Sequence, residues 1–415
     1  MNLKSLLLAG GALLSGTAAS AGGYQVTLAG QKNNGMGGVG VGLSLDQAAM
    51  FYNPGALAMV KERGVQVGVN LTMARNAFVA EGGNQQRQLR NSYTTPLNFY
   101  AGFGPAEGKF RAGIAVYTPF GSKLQYAEGW EGRTALTSID LKSIFVQPTV
   151  SYALTDQISV GAGLVVLAYG AVNLQRDVPL PDSYGSIELD GKADTKLGYN
   201  VGVFFKPSDK FTIGASYRSK IDAVVKDGDV TFTGIPASFS SRFQATKFGA
   251  TLPLIATYSL GFGLMPTENL TIGLDANLAQ WSKYKTLRFN FDQQINGATF
   301  SESKRNYKDA LTLRLGGQYK LTSGLTVRAG AVYDETPVRD GYVTPETPDN
   351  NRVSGTLGAS YAFGKFSVDL SGQFVSIQKR TETQQQLINN GTTDRIAGTY
   401  KTNIVIPGIG LNYAF

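Results

Sequence analysis

The chain has 415 residues, a formal net charge of +8 at pH 7, no His and no Cys. The missing His and Cys exclude Ser-His-Asp and Cys-His nucleophiles, the common zinc sites and any disulfide. The mean hydropathy is only -0.09 although 42% of the residues are hydrophobic, as expected where apolar and polar side chains alternate along strands. No phosphate-binding loop or nucleic-acid motif is present. We therefore expect no enzyme, cofactor, metal or nucleic-acid partner.

The first 21 residues are typical of a secretory signal peptide. Lys4 precedes the apolar run Leu6 to Leu14, and Ala19-Ser20-Ala21 supplies small residues at the cleavage positions. We predict that residues 1–21 are removed and that the mature chain begins at Gly22. Beyond them no run of eighteen apolar residues occurs, which excludes a helical membrane span. The chain then either stays in the periplasm or crosses the membrane as strands.

Residues 22–62 show little strand alternation. A glycine-rich stretch from Gly35 to Gly42 precedes Gln47 to Tyr52, which resembles a short helix. This helix should end near Asn53, because Pro54 disfavours helical geometry in the residue before it. The glycines also match a dinucleotide fingerprint, but no βαβ pattern surrounds them, and tightly turned backbone is the simpler interpretation. We predict an N-terminal hatch domain with short helices that plugs a barrel lumen.

Residues 63–415 alternate apolar and polar residues in segments separated by turns. A hairpin signal recurs at 152–161, 205–214 and 264–273, with weaker copies at 319–328 and 361–369. With a further turn at 104–109, the spacing of roughly forty to sixty residues fits two strands and one long loop. We predict an all-β, transmembrane antiparallel β-barrel of about 14 strands. The expected long polar loops are 76–94, 121–140, 176–196, 218–246, 282–309, 334–352 and 376–399.

The last residues favour a membrane barrel over a soluble one. Ile409, Leu411, Tyr413 and Phe415 share one face of a strand, as in a lipid-facing final strand. A large periplasmic β-sandwich also alternates, but it explains neither the terminal aromatic residue nor the long and short loops. We expect a bacterial outer-membrane protein, monomeric, in contact with outer-membrane lipid and lipopolysaccharide. The barrel-assembly machinery is its expected partner during biogenesis.

Several short motifs of the chain match one known family. They are Gly23-Tyr24-Gln25, Phe51-Tyr52-Asn53-Pro54-Gly55, Tyr307 to Leu311, Val332 to Val338 and Asn412 to Phe415. Together they resemble the FadL-type outer-membrane transporters of long-chain fatty acids and other hydrophobic compounds. The family typically has Asn-Pro-Ala where this chain has Asn53-Pro54-Gly55. Gly55 is expected to loosen the turn and to let the hatch move more easily.

The resemblance implies a lumenal hydrophobic site beside Asn53, Pro54 and Gly55, and a gap in the wall where the third strand bends. The third strand is expected at about Phe110 to Thr118. Pro119 cannot donate to the ladder, so between Pro119 and Gly121 either the strand breaks and opens the wall or a loop simply begins.

Family members hold the fatty-acid carboxylate with basic residues, and the matching positions are Arg176 and Lys308. Tyr24 matches an aromatic residue near the same site. Arg176 and Lys308 could instead pair with the adjacent Asp177 and Asp309. The implied function is passive, gated uptake of hydrophobic molecules, long-chain fatty acids first, with lumenal binding, hatch rearrangement and lateral release. The alternatives are an aromatic hydrocarbon transporter of the same fold, or a non-transporting surface receptor or a porin.

Overall fold

The computed structural model describes residues 23–90, 93–105, 108–392 and 394–415. The predicted signal peptide and Gly22 lie outside these residues. A single antiparallel sheet of 23 strand segments closes on itself. The segments are β1 Gly64–Asn70, β2 Thr72–Ala80, β3 Arg87–Gln88, β4 Tyr93–Thr94, β5 Leu97–Phe103, β6 Phe110–Tyr117, β7 Gly121–Gln125, β8 Ser138–Ala153, β9 Ile158–Pro179, β10 Tyr184–Lys192, β11 Lys196–Ser208, β12 Phe211–Arg218, β13 Ile221–Thr233, β14 Lys247–Leu254, β15 Thr257–Leu264, β16 Leu270–Ala279, β17 Thr286–Ile295, β18 Ala298–Lys304, β19 Ala310–Lys320, β20 Leu325–Asp334, β21 Arg352–Phe363, β22 Phe366–Glu382 and β23 Gly398–Ala414.

Some segments are successive parts of one longer strand, interrupted by irregular residues. Joined in this way they form 14 barrel strands. These barrel strands are β1–β2, β3–β5, β6–β7, β8, β9, β10–β11, β12–β13, β14–β15, β16–β17, β18–β19, β20, β21, β22 and β23. The first pairs with the last, from Gly64 opposite Ala414 to Asn70 opposite Gly408. The predicted all-β class and strand number are confirmed.

The two barrel ends differ in their connections. One end has the predicted short turns, at 154–157, 209–210, 265–269, 321–324 and 364–365. At the other end, two regions predicted as long loops are largely strands. β9 runs on to Pro179, and β17 and β18 form a hairpin turning at Asn296-Gly297, both with positive φ. The ladder continues there because alternate residues such as Leu287 and Phe289 remain apolar and pack inward.

The outer wall carries an apolar belt. Leu313, Leu315 and Leu357 are exposed by 43%, 53% and 70%. Aromatic side chains border the belt at the short-turn end and near the opposite edge. At the short-turn end they are Phe103, Phe110, Tyr152, Tyr361, Phe363, Phe366 and Phe415. Near the opposite edge they are Tyr199, Tyr258 and Tyr333. A belt between two aromatic girdles is what a lipid-facing barrel wall requires. Among the described residues, no helix is both long and apolar enough to span a bilayer.

Residues 23–63, called the N-terminal segment below, pack against the inner face of the barrel. The segment contains α1 Gln31–Gly35, α2 Ala49–Tyr52 and a 3-10 helix, Pro54–Met59, and nearly all of it is buried. Its backbone lies directly against inward-facing glycines of the wall. A Cβ added at Gly214, Gly316 or Gly330 would collide with the backbone of the segment. At these three positions the wall has no side chain, so the backbone of the segment rests directly on the backbone of the wall. A third helix, α3 Gln384–Asn390, and 3-10 turns at Ala237–Arg242 and Trp281–Lys283 lie elsewhere.

Two charged side chains of the wall hold the glycine-rich stretch. The backbone N–H groups of Gly40 and Val41 donate to Asp275 Oδ2 at 2.7 and 2.9 Å. Arg314, which is opposite Asp275 in the β16–β19 ladder, donates to the Gly37 carbonyl at 2.9 Å. Hydrogen bonds to charged groups contribute more than neutral ones. This pair is therefore a principal anchor of the N-terminal segment.

We expect Asp275→Asn to loosen the glycine-rich stretch while leaving the barrel closed. The substitution removes the charge that strengthens two hydrogen bonds, each worth about 1.5–3 kcal/mol. Hydrogen exchange measured by mass spectrometry should become roughly tenfold faster or more for backbone amides between residues 36 and 43. Asp369→Asn is the matched control, because Asp369 is equally buried but bonds to Ser360 and Asn412 of the wall. Unchanged exchange in the Asp275 variant would refute the anchor.

Phe415→Ala is expected to reduce the yield of folded barrel. The Phe415 ring lies 5.9 Å from that of Phe103 and 6.3 Å from that of Tyr413, and its N–H donates to the Arg63 carbonyl. These contacts join the last barrel strand to the start of the first. Heat-modifiable migration in electrophoresis of the membrane fraction measures the folded yield. Phe363→Ala, a comparably exposed aromatic residue at another short turn, should lower the yield less.

Candidate ligand-binding site

An apolar cavity lies beyond the N-terminal segment, toward the end with the extended strands. Its empty space, counted together with the open mouth, is about 900 Å³. The third to the ninth barrel strands supply its wall. The apolar lining residues are Ile139, Leu141, Leu167, Val172, Leu174, Ala193, Ala223, Val225, Ala250, Leu252, Leu254, Leu287 and Phe289, with Tyr24, Phe120 and Tyr284 among them. The cavity suits an aliphatic or aromatic hydrocarbon group.

Tyr24 forms part of the cavity wall, as its predicted role near the site requires. Its hydroxyl donates to the Pro253 carbonyl, and its ring packs edge-on against Trp281 at 4.8 Å between centroids. The centroid of the Phe120 ring lies 6.1 Å from that of the Tyr24 ring, on the side of the third barrel strand. Burial raises the pKa of the Tyr24 hydroxyl well above its ordinary value. Tyr24 is therefore a neutral, fixed surface that links the N-terminal segment to the cavity.

A polar cavity of about 690 Å³ adjoins the apolar one. The two share Leu174, Leu287, Phe289 and Glu346 as lining residues. Arg305, which is 2% exposed, forms an ion pair with Glu346 and donates to Thr344 Oγ1 at 2.9 Å. Burial alone would raise the pKa of the Glu346 carboxyl, but the Arg305 guanidinium outweighs burial and lowers it. Arg305 and Glu346 thus remain a charged, neutralised pair.

Arg395 is a second neutralised cation in the polar cavity. It lies 3.9 Å from an Asp394 oxygen and donates to the Gly341 carbonyl at 3.1 Å. Sequence reasoning missed Arg305, Arg395 and Glu346. No local motif marks them, because three separate connections of the barrel bring them together.

Arg176 also lines the polar cavity, beside Leu174 of the shared wall. It is half-buried in β9, and no described residue accepts a hydrogen bond from its guanidinium or forms an ion pair with it. Its neighbour Asp177 pairs with Arg133 instead, at 3.8 Å. Arg176 therefore presents a positive charge to the cavity with its hydrogen-bonding capacity available for an anion.

The structure does not bring Lys308 to this cavity. Lys308 is exposed, and its backbone N–H donates to the Pro337 carbonyl at 2.9 Å. The alternative, an ion pair between Lys308 and Asp309, is not formed among the described residues either, and Asp309 accepts a hydrogen bond from the Ser282 N–H. Of the two basic residues that the family motif indicated, only Arg176 faces the cavity.

Asn53 and Pro54 lie deeper, between α2 and the 3-10 helix, and line neither cavity. Asn53 is completely buried and donates to the carbonyls of Val41 and Val203 at 2.9 and 3.0 Å. Its side-chain oxygen accepts from the Gly55 N–H, so it caps the 3-10 helix that begins at Pro54. The predicted helix end at Asn53 agrees with this geometry. Asn53 joins two parts of the N-terminal segment to the wall.

Gly55 is tightly held, in contrast to the expectation of a loosened turn. Its carbonyl accepts hydrogen bonds from the hydroxyls of Ser151 and Ser159, at 3.2 and 2.7 Å. A Cβ at this position would lie 2.7 Å from the Gly202 carbonyl oxygen. Glycine here permits a close approach to the wall, and it does not provide mobility.

The third barrel strand breaks at the predicted position. β6 ends at Tyr117 and β7 begins at Gly121, so the same strand resumes after the interruption and Pro119 does not start a loop. Before the break the strand pairs with β5 and β8; after it, in the described part of the chain, β7 pairs with β8 alone. On the side of β7 that faces the second barrel strand, the described residues form no strand pairing, although the Arg90 N–H donates to the Gln125 carbonyl at 2.9 Å.

The N-terminal segment occupies the inner side of this break. The Val26 N–H donates to the Pro119 carbonyl at 2.7 Å, and the Gly121 N–H donates to the Tyr24 carbonyl at 3.0 Å. Gln25 and Phe120 are opposite each other in this bridge. The Ser143 side chain completes the pattern by bonding both backbone groups of Phe120. Residues 24–26 act as a short patch strand across the break.

A third cavity, of about 670 Å³, separates the N-terminal segment from the wall on the other side and is polar. Arg218, Arg314, Asn200 and Asn277 line it together with Tyr52. The Tyr52 hydroxyl and the Asn200 side-chain oxygen are buried there without a partner among the described residues. This polar chamber differs in chemistry from the apolar cavity and offers no continuous path for a hydrocarbon chain.

Comparisons with known proteins agree with this architecture. The sequence profile of the family described as outer membrane protein transport protein (OMPP1/FadL/TodX) matches residues 12–415. The long-chain fatty acid transport protein of Escherichia coli is 22% identical over 420 residues, which cover 91% of each chain.

Solved structures show the same fold. The crystal structure of a Pseudomonas aeruginosa FadL homologue has a TM-score of 0.83 at 20% identity and covers 95% of this chain and 100% of that one. The Pseudomonas putida toluene transporter TodX has a TM-score of 0.72 at 15% identity and covers 95% and 99%. The family consists of outer-membrane transport channels and not of enzymes. The chain belongs to the OMPP1/FadL/TodX family of outer membrane transport proteins, as its motifs predicted.

Proposed function

We propose that this protein takes up hydrophobic molecules passively, binding them in the apolar cavity and releasing them sideways through the break in the third barrel strand. Long-chain fatty acids are the favoured cargo. The observation that carries this choice is the arrangement of Arg176, whose guanidinium is available in the polar cavity that shares four lining residues with the apolar one. An acyl chain would fill the apolar part, and its carboxylate would reach Arg176.

The binding energies expected from the apolar cavity and from Arg176 differ in size, so the two parts of the site have separate roles. Each buried methylene contributes about 0.8 kcal/mol, so ten methylenes supply about 8 kcal/mol before ordering costs. A hydrogen bond to a charged group adds about 1.5–3 kcal/mol. The apolar walls therefore set the affinity, and Arg176 sets the orientation and the preference for an acid.

An aromatic hydrocarbon is the second candidate cargo. Tyr24, Phe120, Tyr284 and Phe289 give the cavity several aromatic faces, and one solved relative is named as a toluene transporter. Such a cargo needs no cation. The available Arg176 guanidinium favours the acid. A bound hydrocarbon would displace water from this guanidinium and offer no hydrogen bond in return, which costs free energy.

Arg176→Gln is expected to weaken oleate binding about tenfold to a hundredfold and to leave binding of oleyl alcohol nearly unchanged, because only the acid loses a charge-assisted contact. Fluorescence displacement in detergent measures both affinities. Lys308→Gln is the matched control, since this substitution removes an exposed cation outside the cavity. The Lys308 variant should bind oleate and oleyl alcohol as tightly as the parent protein does. A loss in this control would restore Lys308 as a headgroup ligand.

Two other results would change the assignment. An equal loss of acid and alcohol in the Arg176 variant would mean that Arg176 only supports the fold. Robust uptake of toluene by the parent protein, without measurable binding of oleate, would move the cargo to aromatic hydrocarbons.

The direction of release follows from the polarity of the neighbouring spaces. A chain moving past the N-terminal segment would enter the chamber lined by Arg218 and Arg314, losing about 0.8 kcal/mol of burial for each methylene exposed to polar groups or water. A chain moving past Phe120 would pass the rings of Tyr24 and Phe145 at the break and from there enter the lipid. Among the described residues, the patch strand at 24–26 covers that route from inside. We therefore assign gating to residues 24–26 and anchoring to Asn53, Pro54 and Gly55.

A disulfide between Gln25→Cys and Phe120→Cys should block uptake but permit binding. These positions form a non-hydrogen-bonded antiparallel pair, with the short Cα separation that a disulfide needs. The chain has 0 Cys, so no native thiol competes. We expect the oxidised variant to bind oleate and to lose most of its uptake in cells or proteoliposomes, and reductant to restore it.

The reduced form of the same variant also lacks the Phe120 ring but has no disulfide. It therefore shows how much of any effect comes from losing the ring. Cross-linking Ser186→Cys to Thr233→Cys, a paired position of β10 and β13 away from the break, tests for a general effect of a disulfide. Full uptake by the oxidised Gln25–Phe120 variant would exclude the break as the exit.

A further inference from the structure

Three lysines on the exterior form a cluster that neither the fold nor the cavities use. Lys283, Lys285 and Lys308 are exposed and line none of the three cavities described above. Two neighbouring irregular segments carry them. The N–H groups of Arg305 and Tyr307 donate to the carbonyls of Lys285 and Tyr284, at 2.7 and 3.3 Å.

The cluster lies just beyond one edge of the apolar belt. Along β19, Leu313, Leu315 and Tyr319 are the outward, exposed side chains. From Tyr319 to Ala310 the strand rises about 24 Å along the barrel axis, taking about 3.4 Å per residue and a tilt of about 40°. This height matches an apolar band of about 25 Å. Lys308, two residues past Ala310, therefore stands at the level of lipid headgroups.

The nearest carboxylates bond to backbone N–H groups. Asp309 accepts a hydrogen bond from the Ser282 N–H at 2.8 Å, and Glu335 accepts one from the Leu311 N–H at 3.3 Å. No described residue forms an ion pair with any of the three lysines, whereas Lys220, Lys226 and Lys247 each pair with an aspartate. Three lysine ammonium groups without an ion-pair partner at headgroup height can each contact an anionic lipid headgroup.

We propose that Lys283, Lys285 and Lys308 bind phosphate groups of lipopolysaccharide in the outer leaflet. The cluster is at the end opposite the short turns, which face the periplasm in outer-membrane barrels. The lipid at that end of the wall is lipopolysaccharide, whose phosphates are located at the boundary between acyl chains and sugars. The cluster anchors the lipid beside the ninth and tenth barrel strands.

The test compares two triple variants of the purified full chain in detergent. Lys283→Gln/Lys285→Gln/Lys308→Gln removes the cluster. Lys210→Gln/Lys320→Gln/Lys365→Gln removes three exposed lysines at the short turns and is matched in charge. Binding of rough lipopolysaccharide is measured by native mass spectrometry, with enzymatically dephosphorylated lipopolysaccharide and phosphatidylglycerol as comparison ligands. Heat-modifiable migration confirms that each variant is folded.

The cluster variant should bind lipopolysaccharide at least tenfold more weakly than the parent, and the short-turn variant should bind as the parent does. Dephosphorylation should remove the difference between the parent and the cluster variant. Equal binding by the cluster variant, an equal loss in the short-turn variant, or undiminished binding of the dephosphorylated lipid would each overturn the proposal. Phosphatidylglycerol binding as tightly at the cluster would assign it to phospholipid instead. None of these outcomes depends on the cargo of the lumen.

Discussion

In a membrane barrel every backbone polar group needs a hydrogen-bond partner. The rest of this structure depends on that requirement. A strand that breaks at Pro119 leaves donors and acceptors without a ladder, and each unsatisfied group would cost several kcal/mol away from water. Residues 24–26 and the Ser143 hydroxyl satisfy those groups. The N-terminal segment therefore satisfies the backbone of the break from inside. In the proposed function, opening the wall at the break requires residues 24–26 to move.

The middle of the N-terminal segment is attached to the wall by contacts that are separate from those of its first residues. Asp275, Arg314 and Asn53 connect its middle to the wall through charged or fully buried hydrogen bonds. Inward glycines let its backbone touch the wall directly. The patch strand has two backbone hydrogen bonds, and Tyr24 adds the bond from its hydroxyl to the Pro253 carbonyl and the packing of its ring against Trp281. Tyr24 also forms part of the cavity, so in the proposed function a ligand that displaces Tyr24 acts directly on the residues that cover the break.

Local sequence signals predicted the parts of the fold that local geometry determines. Period-two alternation gave the strands, polar turns gave the short connections, and the proline rules placed the break at Pro119 and the helix end at Asn53. The extent of the loops was wrong at 176–196 and 282–309, because polar residues on the outer face masked apolar ones on the inner face. The association of Arg305, Arg395 and Glu346 was not predictable, since it arises from strand pairing between distant parts of the chain. The same long-range pairing leaves Lys308 outside the cavity.

Charge balance in the polar cavity is consistent with a passive carrier. Arg305 and Arg395 have nearby carboxylates as partners, so they add little net attraction for an anion. Arg176 alone among the described arginines of this cavity has no such partner. Three guanidiniums without carboxylate partners would bind a carboxylate tightly enough to slow its release. A passive carrier has no energy source that could drive the release of so tightly bound a ligand. In the proposed function, one available cation would orient the acid, and the apolar cavity and the lipid would compete for its chain on nearly equal terms, because both remove methylenes from water.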